Sequence, residues 1–266
     1  MQIPQTERFH RALAVLFGLS LLTASAAADD RPADEKETEM LAEFEQQLKR
    51  LNSAIEDDPN NVDLYSRRGD LHFFLAQYDE AVADYDRMVE LEPKLDSSHW
   101  RRGIAYFYAG DYEQAAGQFE RYHSFDNVDR ENGIWRYLSQ FEAYGKEKAR
   151  EGLLKYEKDD REPFPDVYRL FAGTITADEI LQRIADADIS DQEREKRLFY
   201  AELYIGLELA VSDEPTEARR HLARAAENTW PEPAGYGPRY MWHVARLHRD
   251  LIDRQADDEA QRPVDE

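Results

Sequence analysis

Two stretches of the chain share the same series of small and large residues at a distance of 34 positions. In the first stretch, Gly69 precedes Ala81 by twelve positions, and the large residue Tyr85 follows four positions after that alanine. The second stretch repeats these spacings with Gly103, Ala115 and Phe119. A flanking Arg-Arg-Gly also recurs, at 67–69 and at 101–103. A period of this length indicates an array of small units, each of which buries its apolar face against its neighbours.

The residue types at these positions are the ones that a pair of packed helices needs. A glycine on the first helix and an alanine on the second let two antiparallel helices approach closely, and the large residue fills the remaining gap. Pro93 follows the second helix, where a proline ends the helix and turns the chain. A period of 34 with this pattern is the tetratricopeptide signature. The sequence therefore predicts an all-α, right-handed TPR-type helical solenoid of about four or five helix-turn-helix units with a C-terminal capping helix.

The period and its interruptions predict a division of the chain into five segments. These are a signal peptide at 1–28, a disordered acidic linker at 29–39, an N-terminal cap helix with the first repeats at 40–158, a degenerate unit with a late repeat and a capping helix at 159–254, and a disordered tail at 255–266. Within the third segment, repeats are expected at about 62–95, 96–129 and 130–158.

The regular spacing weakens after the second repeat. In the third repeat Tyr137 stands where the glycine is expected, and Leu222 lies 69 positions after Leu153, which is two periods plus one residue. One degenerate unit should fill this interval, with short helices near 166–172 and 177–187. A last helix is expected from about residue 239 to residue 254, because apolar residues there recur near helical spacing.

The N-terminus has the layout of a secretory signal peptide. Arg8 and Arg11 precede a short apolar stretch and a run of alanines, and cleavage is expected after Ala26 or Ala28. The alternative, a retained membrane anchor, is disfavoured because the apolar stretch is shorter than the roughly 20 residues that span a bilayer. The segment before Ser25 is similar to a bacterial lipobox, but the chain contains no cysteine that could carry a lipid. We therefore expect a periplasmic or secreted protein with no stable membrane anchor.

The charge of the chain limits its partners. The formal net charge is −22, and such a surface repels nucleic acid and anionic lipid. No nucleic-acid partner is therefore expected. Solubility explains the charge better than one specific cationic partner does.

A resemblance to one particular family of tetratricopeptide proteins, more specific than the repeats themselves, is found in three stretches, 102–112, 167–184 and 199–206. The region from Asn60 to Ala226 resembles the tetratricopeptide lipoprotein family typified by NlpI. That resemblance implies an envelope adaptor, often a homodimer, that brings a C-terminal-processing protease together with a murein endopeptidase. The chain departs from the family at Ser25 and in its loop from Pro231 to Pro238. The fold carries over more firmly than membrane tethering or any particular partner.

A search for catalytic and cofactor motifs predicts that the chain is not an enzyme. It has no phosphate-binding glycine loop, no nucleophile elbow and no zinc-protease motif, and without cysteine it has no thiolate chemistry. His243 and His248 are five positions apart, which places them on different helix faces and makes them a poor metal pair. Neither a cofactor nor a metal is therefore predicted.

The concave groove, where repeat solenoids usually bind, is the candidate site. The first helix of each repeat supplies its lining, and the predicted partner-binding residues are Arg67, Phe74, Trp100, Arg101, Tyr108 and Trp135. Aromatic anchors beside arginines suit an apolar segment that carries a carboxylate. Two alternatives stand beside this: most of the aromatics fill the core between helices, or the C-terminal helices fold back into the groove.

These observations predict a non-catalytic scaffold or adaptor that binds a protein or peptide, with an envelope protease or a murein hydrolase as the partner that the resemblance implies. The alternative function is a binding protein for a small ligand or free peptide in an aromatic-lined pocket.

Overall fold

A computed structural model of the chain describes residues 33–158 and 160–261, and all regular structure in those ranges is helical. The α-helices are α1 Ala33–Asp57, α2 Val62–Phe74, α3 Tyr78–Leu91, α4 Trp100–Tyr108, α5 Tyr112–Phe125, α6 Arg130–Tyr144, α7 Lys146–Glu151, α8 Phe164–Phe171, α9 Ala177–Asp186, α10 Asp191–Val211, α11 Pro215–Glu227, α12 Pro231–Ala234 and α13 Tyr236–Ala260. A 3-10 helix, Pro93–Ser98, joins α3 to α4. The predicted signal peptide with its cleavage sites and the lipobox-like segment lies outside the described residues.

Most consecutive helices pack against each other along the chain, with α7 to α8 and α11 to α12 as the exceptions, and the structure is the all-α solenoid that the 34-residue period predicts. The glycine pattern is confirmed at three helix pairs. A Cβ atom added to Gly69 would lie 2.7 Å from the Tyr85 ring, and one added to Gly103 would lie 2.6 Å from the Phe119 ring. In the late repeat, a Cβ on Gly206 would lie 2.7 Å from Leu222 Cγ. Only a hydrogen at these three positions allows the helices their observed distance.

A left-handed residue stands seven positions after each of these glycines, in the turn between the paired helices. Gly110 has a φ of 83°, and the equivalent Ala76 and Asp213 have φ values of 58° and 63°. The turn geometry therefore repeats even though the residue type does not. Outside glycine this conformation costs roughly 1–2 kcal/mol, so the first and the late repeat are strained where the second is not.

The third repeat departs from the pattern as the sequence predicts, but in its own way. Its glycine is Gly133, one turn before Tyr137, and a Cβ there would lie 2.5 Å from the Tyr156 hydroxyl. Helix α7 ends after six residues, and residues 152–158 and 160–163, which lead to α8, have no regular structure. Helices α8 and α9 form the degenerate unit close to the expected positions. A capping box between Thr176 and Glu179 begins α9.

Both terminal helices are longer than the sequence predicts. Helix α1 begins at Ala33, so residues 33–39 are helical where a disordered linker was expected, and α13 extends to Ala260, into the expected disordered tail. The two ends hold each other in place, because Glu37 pairs with Arg246 at 3.0 Å and with Arg249 at 3.6 Å. These ion pairs join residues that are distant in sequence, so local composition did not reveal them.

Helix α13 packs against α11 and also contacts the first helices of the first two repeats, α2 and α4, through its side chains. The Tyr240 ring stacks on Phe73 with centroids 4.9 Å apart, and it meets Trp100 edge-on at the same distance. His243 stacks on Phe74 at 3.8 Å. The C-terminal helix therefore folds back into the groove, which was one of the two alternatives left open by the sequence. None of the helices in the described part of the chain is long and apolar enough to cross a membrane.

Candidate functional site

Helix α13 divides the concave side into two spaces. The first, here called the terminal groove, has a volume of about 850 Å³ and lies between α1 and α2 on one side and α11 to α13 on the other. The second, here called the central cavity, has a volume of about 380 Å³ and lies among α4, α6, α10 and the start of α13. Of the predicted binding residues, Arg67 and Phe74 line the terminal groove, and Trp100 and Trp135 line the central cavity.

The terminal groove combines aromatic rings with exposed charged side chains, among them two arginines. Phe44 and Phe74 contact each other at 5.7 Å along its floor, and Trp242 lies on the opposite wall. Arg67 and Arg239 both line the groove and are exposed, and neither forms an ion pair with another described residue. The lining also contains the exposed side chains of Glu43, Glu227 and Glu232, so the groove presents charges of both signs beside its aromatic rings.

Arg101 already has an ion-pair partner and hydrogen-bond partners within the chain. Its guanidinium pairs with Asp70 at 2.6 Å and donates to Ser66 Oγ at 3.0 Å and to the Tyr236 hydroxyl at 2.9 Å. The Tyr236 hydroxyl in turn donates to Asp70 at 2.7 Å. Burial lowers the pKa of Arg101, but the charge of Asp70 outweighs it and the pKa is raised. This predicted binding residue therefore anchors α13 and is not free for a partner while α13 is docked.

Tyr108 is likewise held by the chain itself. Its ring contacts Phe73 at 5.5 Å and Tyr78 at 5.2 Å, and its hydroxyl is 3.0 Å from His248 Nδ1 on α13. Burial raises the pKa of Tyr108 well above its ordinary value and lowers that of His248 to about 4. The imidazole is therefore neutral at physiological pH, and its Nδ1 can accept a hydrogen bond from the Tyr108 hydroxyl.

Trp135 is almost fully buried, with 2% of its surface exposed, and it is the first member of a series of hydrogen bonds. Its indole Nε1 donates to the Tyr204 hydroxyl at 3.2 Å, and that hydroxyl donates to the Glu131 carboxylate at 2.5 Å. Tyr204 and Glu131 are 73 positions apart in sequence. Sequence reasoning found Trp135 but missed both partners, because no local pattern joins them.

Acidic groups outnumber the cation at the base of the central cavity. Arg161 pairs with Glu131, with Asp129 at 3.2 Å and with Asp160 at 3.3 Å, so one guanidinium faces three carboxylates. The same guanidinium lies 4.2 Å over the Phe164 ring. Burial raises the pKa of Glu131 to about 7, against the lowering effect of Arg161. The base of this cavity therefore carries more negative charge than its own side chains neutralise.

His243 and His248 do not meet, in agreement with their expected separation. His243 stacks on Phe74, while His248 bonds to Tyr108. Within the ranges that the structure describes, no cluster of three or more histidine or acidic side chains has the geometry of a metal site.

Comparison with known proteins identifies the repeat. Residues 62–95 match the family model described as tetratricopeptide repeat. This range is the first predicted repeat and covers α2 and α3, and the same helix pairing recurs in α4–α5 and α10–α11. The chain is therefore an all-α solenoid built on tetratricopeptide-type repeats, a class whose members generally bind other proteins. No curated protein matches the chain, so the likeness to the lipoprotein family stays a prediction.

Proposed function

We propose that this chain is a non-catalytic, exported scaffold for protein–protein interaction, and that the terminal groove holds the partner. The repeat architecture supports a protein partner, because stacked helix pairs present an extended surface and not a catalytic cleft. The observation that carries the proposal is the pair of exposed arginines, Arg67 and Arg239, which line the groove together with Phe74 and Trp242 and form no ion pair with another described residue.

The groove chemistry favours an apolar peptide segment that carries a carboxylate. A guanidinium binds a carboxylate through charge-assisted hydrogen bonds, and aromatic side chains are the usual anchors of protein interfaces. The partner that the family resemblance suggests is an envelope protease or peptidoglycan hydrolase, with a second copy of the chain as a further partner. The predicted export supports this compartment.

Site-specific photo-crosslinking tests this proposal. A photoreactive residue at Gln47, which lines the groove, should crosslink a partner from the native envelope fraction, and one at the exposed Gln114 of α5 is the control position. The crosslinked peptide, identified by mass spectrometry and synthesised, should contain apolar residues and a carboxylate. Its affinity should fall by about tenfold or more when both groove arginines become serine, because each charge-assisted bond is worth about 1.5–3 kcal/mol.

The matched control is Arg87→Ser with Arg220→Ser. Both of these arginines lie outside the groove and pair with exposed glutamates on their own helices. This control loses the same net charge. The proposal fails if Gln47 gives no crosslink above the Gln114 control, or if the control variant weakens binding as much as the groove variant does.

The second candidate function is a binding protein for a small ligand or free peptide. The specific observation that favours it is the central cavity, which lies between Trp100, Trp135, Tyr200 and Trp230. Its volume of about 380 Å³ falls within the usual range for small-molecule sites, roughly 300–1,000 Å³.

A further inference from the structure

The side chains that line the central cavity indicate the chemistry of a ligand, which the volume of the cavity alone does not. This inference rests on the second candidate function and is independent of the terminal groove. The upper walls are aromatic, with Trp100 from α4, Tyr200 from α10 and Trp230 from the segment before α12. Trp100 and Trp230 are both partly exposed, whereas Tyr200 is buried.

The base of the cavity offers hydrogen-bond acceptors in excess. The carboxylates of Asp129 and Glu131 both line it, and Arg161 is shared between them and Asp160. Lys196, the other cation on the lining, is committed to Glu193 at 3.1 Å. Glu193 is also shared with Arg197, at 2.9 Å. Four carboxylates, those of Asp129, Glu131, Asp160 and Glu193, therefore face the three cations Arg161, Lys196 and Arg197, which leaves one carboxylate without a cation of its own.

Asn132 supplies an independent indication of a missing donor. This side chain lines the cavity and is 3% exposed. Its Nδ2 donates to the Phe119 carbonyl at 3.0 Å, which fixes the orientation of the amide. Its Oδ1 is buried and has no hydrogen-bond partner among the described residues. An unsatisfied buried acceptor costs roughly 1–3 kcal/mol, so such a group in a cavity is expected to meet a donor from elsewhere.

We infer that the central cavity binds a protonated amine, with the ammonium group directed at the base and the carbon skeleton against the aromatic walls. An ammonium group has donors and no acceptor, which matches Asn132 Oδ1 and the carboxylates of Asp129 and Glu131. The rings of Trp100, Tyr200 and Trp230 supply apolar surface for the carbon skeleton. The raised pKa of Glu131 agrees with this assignment, since an added cation would favour its ionised form. Either a free small amine or the side chain of a peptide lysine has this chemistry.

The test is titration calorimetry with matched probes. Phenethylamine carries the ammonium group, phenylethanol is its neutral counterpart and 3-phenylpropionate its anionic counterpart. A short peptide with one lysine, compared with the same peptide acetylated at that lysine, represents the second source. We expect binding of one or both amine probes and none of the neutral, anionic or acetylated counterparts. Binding of phenethylamine alone would assign a free amine, and binding of the lysine peptide alone would assign a side chain.

Two variants locate the binding, and each is checked for folding by circular dichroism. Glu131→Gln keeps the shape of the side chain and removes its charge, and Trp230→Leu removes one aromatic wall. Each should weaken amine binding by about tenfold, the effect of about 1.4 kcal/mol. The control Glu217→Gln, in an exposed pair on α11, should bind as the wild type does, and so should the protein with both groove arginines replaced by serine. The inference is overturned if the folded wild type binds neither amine, if the neutral probe binds equally well, or if both cavity variants retain full affinity.

Discussion

Replacement of Gly103 by alanine tests the packing rule on which the fold depends. A Cβ at this position would lie 2.6, 2.8 and 3.0 Å from three atoms of the Phe119 ring, whereas carbon atoms in contact are normally about 3.5–4.0 Å apart. The ring cannot yield easily, because Phe119 is fully buried and stacks on Trp135 with centroids 6.2 Å apart. The helices or the ring must therefore move by about 1 Å.

The expected magnitude follows from two opposing effects. Overpacking of a core costs about 1–3 kcal/mol, and this site belongs at the upper end because three ring atoms clash with one methyl group. Alanine recovers roughly 1 kcal/mol of helix propensity over glycine. We therefore expect Gly103→Ala to reduce the free energy of unfolding by about 2 kcal/mol, which lowers Tm by about 4–8 °C for a domain of this size.

Gly117→Ala is the matched control, because it makes the same change inside a neighbouring helix without a clash. A Cβ there would meet only the Arg121 guanidinium, at 3.5 Å. This variant should raise Tm by about 2–4 °C. Thermal unfolding followed by circular dichroism at 222 nm measures both. Phe119→Leu should cost at least about 1 kcal/mol less in the Gly103→Ala background than alone. A Tm for Gly103→Ala equal to or above that of the wild type would show that the Phe119 ring does not require a glycine at this position.

Three further predictions concern a turn, a buried histidine and a buried ion pair. Ala76→Gly should raise Tm by about 2–4 °C, because it relieves the left-handed strain at a φ of 58°, while Gly110→Ala, which has no atom near its added Cβ, should lower Tm by a similar amount. The pKa of His248 is about 4 in the folded protein and about 6.5 when unfolded, so stability is lost as pH falls through this window. His248 alone should contribute about 2 kcal/mol to the loss of stability between pH 7 and pH 5, and buried His99 and His243 add losses of the same sign. In denaturant titrations His248→Asn should therefore lose about 2 kcal/mol less than the wild type over this range; an unchanged pH dependence would contradict the assignment. Arg101→Met leaves the Asp70 carboxylate without its guanidinium and should destabilise the protein by about 3 kcal/mol, whereas the Arg101→Met/Asp70→Leu double variant should recover most of the loss in the same melting assay.

Much of the helical framework could be predicted from the sequence, because its determinants are local. Gly69 and Tyr85 lie sixteen residues apart and meet across one turn, so a repeating spacing is enough to identify the contact. The same reasoning located the degenerate unit near α8 and α9. It missed the left-handed position at Ala76, because only in the second repeat is that turn residue a glycine.

The candidate site was predicted only in part. The sequence placed Arg67, Phe74, Trp100 and Trp135 on the inner side of the solenoid, where they line the two spaces. It did not reveal the acidic base of the central cavity, because Arg161 lies in a segment without regular structure and reaches Glu131 from 30 positions away.

The sequence alone was enough to identify the repeating unit, since a 34-residue period and its glycines act between neighbouring helices. How the concave face is covered became clear only from the tertiary structure. Helix α13 covers part of it through contacts such as Tyr236 with Asp70, which are 166 positions apart. No periodic pattern encodes such a contact. It forms because the solenoid's inner surface and the last helix are both rich in aromatic rings, and burying them against each other removes more apolar surface from water than leaving the groove open would.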